Sequence, residues 1–300
     1  MEEFKIVKNE KFGYYHLDPI PDEEFMAEFY KEKYYKEISR KESTRDARLQ
    51  RLIDNNQKEN EIQWLNSTYF KDICYNIQKF AQKGNDGISV IDIGCGTGEL
   101  LKFMQEYGFK AVGIEPSIDA FEKSKDNELK VYNCNIEEFI KNEKEKKFDC
   151  VNMSNVLEHV LEPLKVIEKC KELLNEEGII RIQVPNDFNE LQEAAVSTLD
   201  LKKWWVCIPD HISYFNYDSL IKILEFYGFE VMCTTSDFPM ELFLLMGDNY
   251  ILNKNLGKEC HEKRKLFEQS IPDDLRRKLY NSLSKIGLGR NLIIYGKRKK

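Results

Sequence analysis

The stretch "VIDIGCGTGEL", Val90 to Leu100, places three glycines within five residues, directly after an apolar run that contains one acid, Asp92. Ordered glycine loses more conformational freedom than any other residue, so a cluster at a predicted strand end indicates a special requirement. That requirement is a tight turn, or a ligand that lies against bare backbone. The stretch therefore predicts a functional turn between a strand and a helix.

The chain on both sides of this turn alternates between short apolar runs and helical patterns, which is typical of a parallel sheet covered by helices. We predict seven strands, at about residues 88–93, 110–115, 129–132, 148–153, 178–184, 229–235 and 291–297. The predicted fold class is α/β, with a doubly wound, Rossmann-like sheet of seven mostly parallel strands.

Three segments stand outside this alternation. Residues 1–82 are rich in charge and tyrosine and predict a helical amino-terminal cap, which ends where glycines and polar residues begin the main domain, 83–300. Residues 185–217 form an aromatic loop after the fifth strand, and residues 238–289 a mostly helical insert before the last strand. Substrates of doubly wound sheets bind outside the carboxyl ends of the strands, so we expect the aromatic loop to build specificity.

The glycine spacing distinguishes between two kinds of nucleotide site. A dinucleotide fingerprint, G-x-G-x-x-G, requires a third glycine at position 99, where the chain has Glu99, whose charge would face a pyrophosphate. The spacing Asp-x-Gly-x-Gly-x-Gly instead resembles motif I of the class I S-adenosylmethionine-dependent methyltransferases. The resemblance extends over about residues 88–235 and implies an enzyme that converts S-adenosylmethionine to S-adenosylhomocysteine.

The resemblance also implies positions for the cofactor. Asp92 would meet its ammonium group directly or through water, and Glu115, in "GIEPS", would accept both ribose hydroxyls. Asn135 stands where the family usually has an aspartate that bonds the adenine amino group, and Ile136 would pack on the ring. The full set of implied cofactor-binding residues is Asp92, Gly94, Cys95, Gly96, Gly98, Glu115, Pro116, Asn135, Ile136 and Asn155.

Two histidines are candidates for the acceptor side of the reaction. A sulfonium is already an activated electrophile, so the enzyme mainly aligns the acceptor and removes a proton where the acceptor is a hydroxyl or a carbon acid. His159 follows the fourth strand and His211 lies in the aromatic loop, so we expect both to face one cleft as catalytic base or substrate-orienting group. The alternative role for each histidine is a hydrogen bond that only fixes the local backbone.

The aromatic loop suggests the acceptor class. Trp204, Trp205 and Tyr214 are candidates to stack on a sugar or planar substrate, or else they anchor the loop on the core. "VPNDFNELQ" and "PDHISYF" resemble bacterial methyltransferases of sugar, quinone and polysaccharide biosynthesis. We therefore predict a small polar acceptor from carbohydrate biosynthesis: a sugar, nucleotide sugar or polysaccharide precursor. O-, N- and C-transfer are all compatible with these residues.

Composition excludes several other functions. A net charge of −7 and an isoelectric point near 5.4 argue against nucleic acid and anionic membrane as partners. The fourth strand lacks the Pro-Pro signature of DNA amino methyltransferases, and none of the eight cysteines follows proline, as carbon-5 methylation usually requires. The cysteines are scattered singly, which predicts neither a metal site nor disulfides. No secretory signal or membrane span is visible, so we expect a cytoplasmic protein.

Two other functions stay open. A methyltransferase of a protein or peptide would recruit a basic target through an acidic groove. A non-catalytic module that retains the fold would bind cofactor to regulate a partner. The helical additions are also compatible with a homodimer.

Overall fold

The computed structural model describes residues 4–29, 55–83, 87–125 and 128–299. Its strands are β1 (Lys5–Lys8), β2 (Tyr15–Asp18), β3 (Ser89–Ile93), β4 (Lys110–Ile114), β5 (Val131–Tyr132), β6 (Phe148–Ser154), β7 (Leu174–Pro185), β8 (Ser213–Tyr214), β9 (Phe229–Ser236) and β10 (Asn291–Arg298). Its principal helices are α1 (Asn55–Ser67), α2 (Tyr69–Ala81), α3 (Glu99–Glu106), α4 (Ile118–Lys125), α5 (Ile136–Asn142), α6 (Pro163–Leu173), α7 (Glu190–Leu199), α8 (Tyr217–Phe226), α9 (Glu241–Leu245), α10 (Lys254–Ser270) and α11 (Asp273–Lys285).

A seven-stranded sheet organises the molecule, in the order β5-β4-β3-β6-β7-β10-β9. The first five of these strands run parallel, and β10 is antiparallel to both of its neighbours. The strand order reverses between β3 and β6, where a doubly wound sheet binds its ligand. The predicted fold class is confirmed.

Helices cover both faces of this sheet, which explains why its central strands read as continuous apolar runs. One core cluster contains side chains of α2 and α3, such as Ile77 and Leu101, packed with Val90 of β3. The other contains side chains of α5, α6 and α8, among them Phe139 and Ile167. The carboxyl ends of β3, β4, β6 and β7 therefore meet at one edge, between two packed layers.

The amino-terminal segment contains a hairpin that sequence analysis does not predict. Strands β1 and β2 pair with each other, and β2 pairs with β8 in a separate three-stranded sheet in which Tyr15 lies opposite Tyr214. The strands have four residues each, too few for a clear alternation, and their partner lies about 200 positions away. Helical backbone follows at 23–29, and the later part of the predicted helical cap is described from residue 55, as α1 and α2.

The aromatic loop, residues 185–217, is not irregular throughout. It contains α7, whose amino terminus carries a capping box between Asn189 and Gln192. The pattern Asn-x-x-Gln before an alanine-containing run is a signal that could have revealed this helix. The insert at 238–289 consists of α9, α10 and α11. Within the described ranges, no helix combines the length and apolar character needed to cross a bilayer.

Candidate active site

The glycine turn joins β3 to α3, and its three glycines have φ angles of 69°, 58° and 89°, all in the left-handed region. A Cβ on Gly94 would lie 2.5 Å from Cγ2 of Val156, and one on Gly98 would lie 2.3 Å from Cδ1 of Leu129. A Cβ on Gly96 would meet nothing within 4 Å. The outer glycines therefore permit close packing, whereas Gly96 borders open space.

Glu115 connects the end of β4 to this turn. Its Oε2 accepts the backbone N–H of Gly96 at 2.8 Å, and its Oε1 accepts that of Ser117 at 2.9 Å. Burial raises the pKa of the carboxyl, and these two N–H groups oppose the rise. Because each carboxylate oxygen has two acceptor sites, the group is held in place and can still receive a diol.

Asn133 and Asn135 shape the far side of the turn. The side-chain amide of Asn133 donates to the carbonyls of Glu115 (2.9 Å) and the exposed Pro116 (3.1 Å), a role that sequence reasoning missed. Asn135, expected to bond an adenine, caps α5: its Oδ1 accepts the backbone N–H of Glu138 at 2.9 Å. Ile136, expected to pack on the ring, is buried within a core cluster.

Cys95, between Gly94 and Gly96 in the glycine turn, packs inward. Its sulfur would be 2.5 Å from a Cβ on Gly113, so the thiol fills the space above β4. Burial raises the pKa of the thiol far above its usual value, and the charges of Asp92 and Glu115 raise it further. The side chain is therefore a packing group rather than a nucleophile.

Asp92 and Asn155 lie at the ends of neighbouring strands. Asp92 accepts a 2.6 Å hydrogen bond from the amide of Asn152, a buried partner that sequence reasoning missed. Asn155 has φ +57°, and its backbone N–H donates to the carbonyl of Gln183 at 2.9 Å. A left-handed backbone at an exposed non-glycine strand end is the kind of conformation found at binding sites.

His159 and His211 lie against each other, with ring centroids 4.9 Å apart and nearly perpendicular planes. Nδ1 of His159 donates to the backbone carbonyl of Asp210 at 2.8 Å. Because a carbonyl only accepts, this bond places a proton on Nδ1. Nε2 faces Glu158, with 3.8 Å to its Oε1. The fold thus brings together two histidines that are 52 positions apart.

Sequence reasoning missed Glu158, which lies beside these two histidines. It is buried, its carbonyl accepts the N–H groups of Ile212 and Ser213, and its Oε2 has no hydrogen-bond partner among the described residues. Burial raises its pKa to about 7, against the opposing charge of His159. Burial alone would lower the pKa of His159, but Asp210 and Glu158 outweigh it and raise that pKa to about 9.

Glu158, His159 and His211 also offer one donor atom each within 4.8 Å of one another, a set that could hold a metal ion. The same closeness is expected of a buried acid whose charge is coupled to that of a neighbouring imidazole. A chelator can distinguish the two roles.

The three predicted aromatic residues divide into two kinds. Tyr214 is buried in β8 and its hydroxyl accepts the backbone N–H of Cys207 at 3.2 Å. Trp205 is 5% exposed and lies edge-on to Phe188, with centroids 5.7 Å apart. Trp204 is half-buried and lies edge-on to Trp205. Tyr214 and Trp205 therefore anchor the loop, and Trp204 retains accessible ring surface.

A family model described as a methyltransferase domain matches residues 65–234. Among curated relatives, the ubiquinone biosynthesis O-methyltransferase of Glaesserella parasuis is 35% identical over 109 residues, which cover 33% of this chain and 46% of the relative. That of Bradyrhizobium diazoefficiens is 26% identical over 154 residues, 46% of this chain and 60% of the relative. The chain spans about half the length of these relatives.

Two solved structures are similar at 18% identity. A SAM-dependent methyltransferase from Archaeoglobus fulgidus has a TM-score of 0.48, over 76% of this chain and 94% of its own. The plantazolicin methyltransferase BpumL has a TM-score of 0.47, over 83% and 93%. Because the family model covers more than half of the 300 residues, the chain belongs to the methyltransferase domain family, as a class I enzyme whose cofactor is S-adenosylmethionine.

Proposed function

We propose that the protein transfers a methyl group from S-adenosylmethionine to a hydroxyl of a small molecule, bound between the glycine turn and the Glu158–His159–His211 group. The observation that carries this proposal is the open space beside Gly96, bordered by the doubly anchored carboxylate of Glu115. A ligand with a diol fits that arrangement, because the carboxylate only accepts hydrogen bonds.

The chain's residues suit the parts of the cofactor. Glu115 would receive the ribose, Asp92 the ammonium group, and the turn from Gly94 to Gly98 the methionine part. Pro116 and Ser117 would lie near the adenine, and we assign Asn135, which caps α5, a supporting role rather than a direct contact. When bound, the sulfonium supplies an activated methyl group, so the protein has to orient the acceptor and handle its proton.

The electrostatics of the acceptor side favour His211 as the proton acceptor. His159, with its pKa raised to about 9, carries a positive charge at neutral pH. An imidazolium cannot accept a further proton, so we assign the role of proton acceptor to His211, whose ring centroid lies 4.9 Å from that of His159. His159 and Glu158 then act as orienting and charge-holding groups. Turnover that is unchanged by EDTA is expected of this role, and loss of turnover would favour a metal.

The relatives support oxygen as the accepting atom, because their names specify O-methyl transfer in ubiquinone biosynthesis. A ring hydroxyl is therefore our proposed acceptor. The carbohydrate acceptor expected from sequence receives no support from those names, and the two buried aromatic residues weaken the stacking argument behind it. Nucleotide sugars and peptides remain comparison substrates in the test.

Isothermal titration with S-adenosylmethionine and S-adenosylhomocysteine tests the cofactor site. We expect micromolar binding that Glu115→Ala weakens about 10- to 100-fold, since it removes a charged acceptor of the ribose and of two backbone N–H groups. Glu122→Ala, at an exposed acid on α4, is the matched control and should bind normally. Absence of binding at millimolar ligand overturns the proposal.

The acceptor is tested by mass spectrometry of products from dihydroxyphenols, nucleotide sugars and basic peptides. Methylated phenol supports the proposal. A methylated sugar or peptide with no phenol product would replace the proposed acceptor. Cofactor binding without any product would indicate the non-catalytic module.

A further inference from the structure

A row of buried polar side chains crosses the centre of the sheet, on the face that α2 covers. Strand register places Asp92 opposite Asn152, Asn152 opposite Arg181, and Arg181 opposite Tyr295. All four are at most 3% exposed. Polar groups so deep in a sheet are costly unless each is hydrogen-bonded, so the row needs an explanation.

Arg181 is the centre of this row, and all five of its N–H donors are used. Nε donates to Tyr295 at 3.2 Å, and Nη1 donates to Asn152 (2.7 Å) and Ser154 (2.8 Å). Nη2 donates to Tyr69 of α2 (3.1 Å) and to Gln183 (2.8 Å). Among the described residues, no carboxylate lies within ion-pair distance of the guanidinium. A single amide, that of Asn152, lies between this positive charge and Asp92.

The bond from Arg181 fixes how Asn152 is oriented. A guanidinium only donates, so it must be met by the amide oxygen of Asn152. The amide nitrogen then has to face Asp92, to whose Oδ1 it donates at 2.6 Å. Asp92 thereby receives a fixed donor and lies two hydrogen bonds from a buried positive charge. Both favour its ionised form.

The hydrogen bonds of Arg181 also extend to Asn155, at the carboxyl end of β6. The amide of Gln183 donates to Oδ1 of Asn155 at 3.3 Å, and the hydroxyl of Tyr69 donates to Gln183. Arg181 is thus linked to Asp92 on β3, to Asn155 at the end of β6 and to Tyr69 on α2.

We propose that Arg181 is a positioning residue for cofactor binding: through Asn152 it holds Asp92 ionised and oriented towards the ammonium group. This inference rests on the proposed function, because it requires Asp92 to meet the cofactor. A role in stability alone is the alternative, since removal of any buried arginine leaves several acceptors without partners.

Asn152→Asp separates the two roles. The new carboxylate still accepts from Arg181, now as an ion pair, so the melting temperature should stay near that of the wild type. It cannot donate to Asp92, and its like charge raises the pKa of Asp92. We expect affinity for S-adenosylhomocysteine to be at least about tenfold lower than that of the wild type at pH 7. This ratio should shrink as pH rises, because a higher pH ionises Asp92 in the variant.

Arg181→Met and Arg276→Met form a matched pair. Arg276 is also buried and hydrogen-bonded, to Asp72 and Asp273, but it lies on α11 and makes none of the hydrogen bonds of this row. We expect both to lower the melting temperature, and only Arg181→Met to weaken binding. If wild type binds and Asn152→Asp binds equally well at every pH, the inference fails while the proposed function stands. If wild type does not bind, the proposed function fails first. Should Arg181→Met not fold, Asn152→Asp decides.

Discussion

The cofactor side and the acceptor side of the sheet edge are built in opposite ways. On the cofactor side, the carboxylate of Glu115 is held by backbone N–H groups of its own segment and of the adjoining turn. On the acceptor side, Glu158 and His159 face His211 from a distant segment, and one oxygen of Glu158 has no hydrogen-bond partner among the described residues. Satisfied dipoles make a rigid binding surface, whereas an incompletely satisfied buried acid makes a group that titrates near neutral pH.

This difference separates binding from chemistry. A pre-organised turn contributes affinity because little conformational freedom remains to be lost when the ligand binds. An electrostatically coupled acid and imidazole contribute a dependence on pH, because their charge changes within the working range. Substitutions on the cofactor side should therefore change affinity, and those on the acceptor side should change turnover and its pH profile.

The two neighbouring tryptophans give the largest expected effect. Trp205→Ala should lower the free energy of unfolding by about 3–5 kcal/mol, because a large buried side chain is lost from the loop anchor. Trp204→Ala should change stability little and raise the acceptor KM about 3- to 10-fold, as expected for the loss of one stacking surface. Chemical denaturation and steady-state kinetics measure the pair. Equal stability loss in both variants would contradict the division into anchor and contact.

Removal of the unsatisfied acid should shift the pH dependence. Glu158→Gln removes a negative neighbour that favours the imidazolium of His159, so the pKa of His159 should fall below about 9. The alkaline limb of the pH–activity profile should shift to lower pH together with this pKa. NMR titration of the imidazole and a pH–rate profile measure both. A limb that stays in place would show that His159 does not control it.

Stability provides the second readout of the same pair. The folded-state pKa values of Glu158 and His159 are both raised, so the protonated groups stabilise the fold at low pH. That stabilisation is lost as pH rises through about 7 for Glu158 and then about 9 for His159. The wild-type melting temperature should fall over that window, and Glu158→Gln should flatten its lower part.

His211→Ala should instead reduce turnover about 100-fold at every pH while leaving the melting profile in place.

Two glycines of one turn provide the corresponding test on the cofactor side. Gly96→Ala should cost roughly 1–2 kcal/mol of stability, the penalty for a side chain in left-handed backbone, and weaken S-adenosylhomocysteine binding about tenfold because the methyl enters the open space. Gly94→Ala should destabilise the protein more, since its Cβ also meets Val156. Titration calorimetry and thermal melts separate the two. Normal binding by Gly96→Ala would show that the ligand lies elsewhere.

Asn135 gives the smallest effect. Asn135→Ala should cost about 1 kcal/mol of stability through loss of the α5 cap, with less than about a threefold change in cofactor affinity. Asn135→Asp keeps the cap and is the control. A larger loss of affinity in the alanine variant, without loss of stability, would restore the direct adenine contact expected from sequence.

The sequence alone determined the sheet, its seven strands and the glycine turn, because each follows from a local pattern: an apolar run, a helical period or glycines at fixed spacing. The family resemblance also implied Glu115 as a cofactor ligand, and the places of His159 after the fourth strand and His211 in the aromatic loop made them candidates for the acceptor side; these roles stay predictions. The sequence did not reveal the hairpin, whose partner strand is remote, or the burial of Trp205 and Tyr214, which depends on Phe188 and Cys207.

Only the tertiary structure decided the electrostatics. Arg181, Asn152 and Asp92 form one row because three strands align in register, a relation that no spacing along the chain encodes. The raised pKa values of Glu158 and His159 likewise depend on how deeply a loop that is 50 residues distant buries them. Secondary structure is specified by neighbours in sequence, whereas charge and proton affinity are specified by neighbours in space.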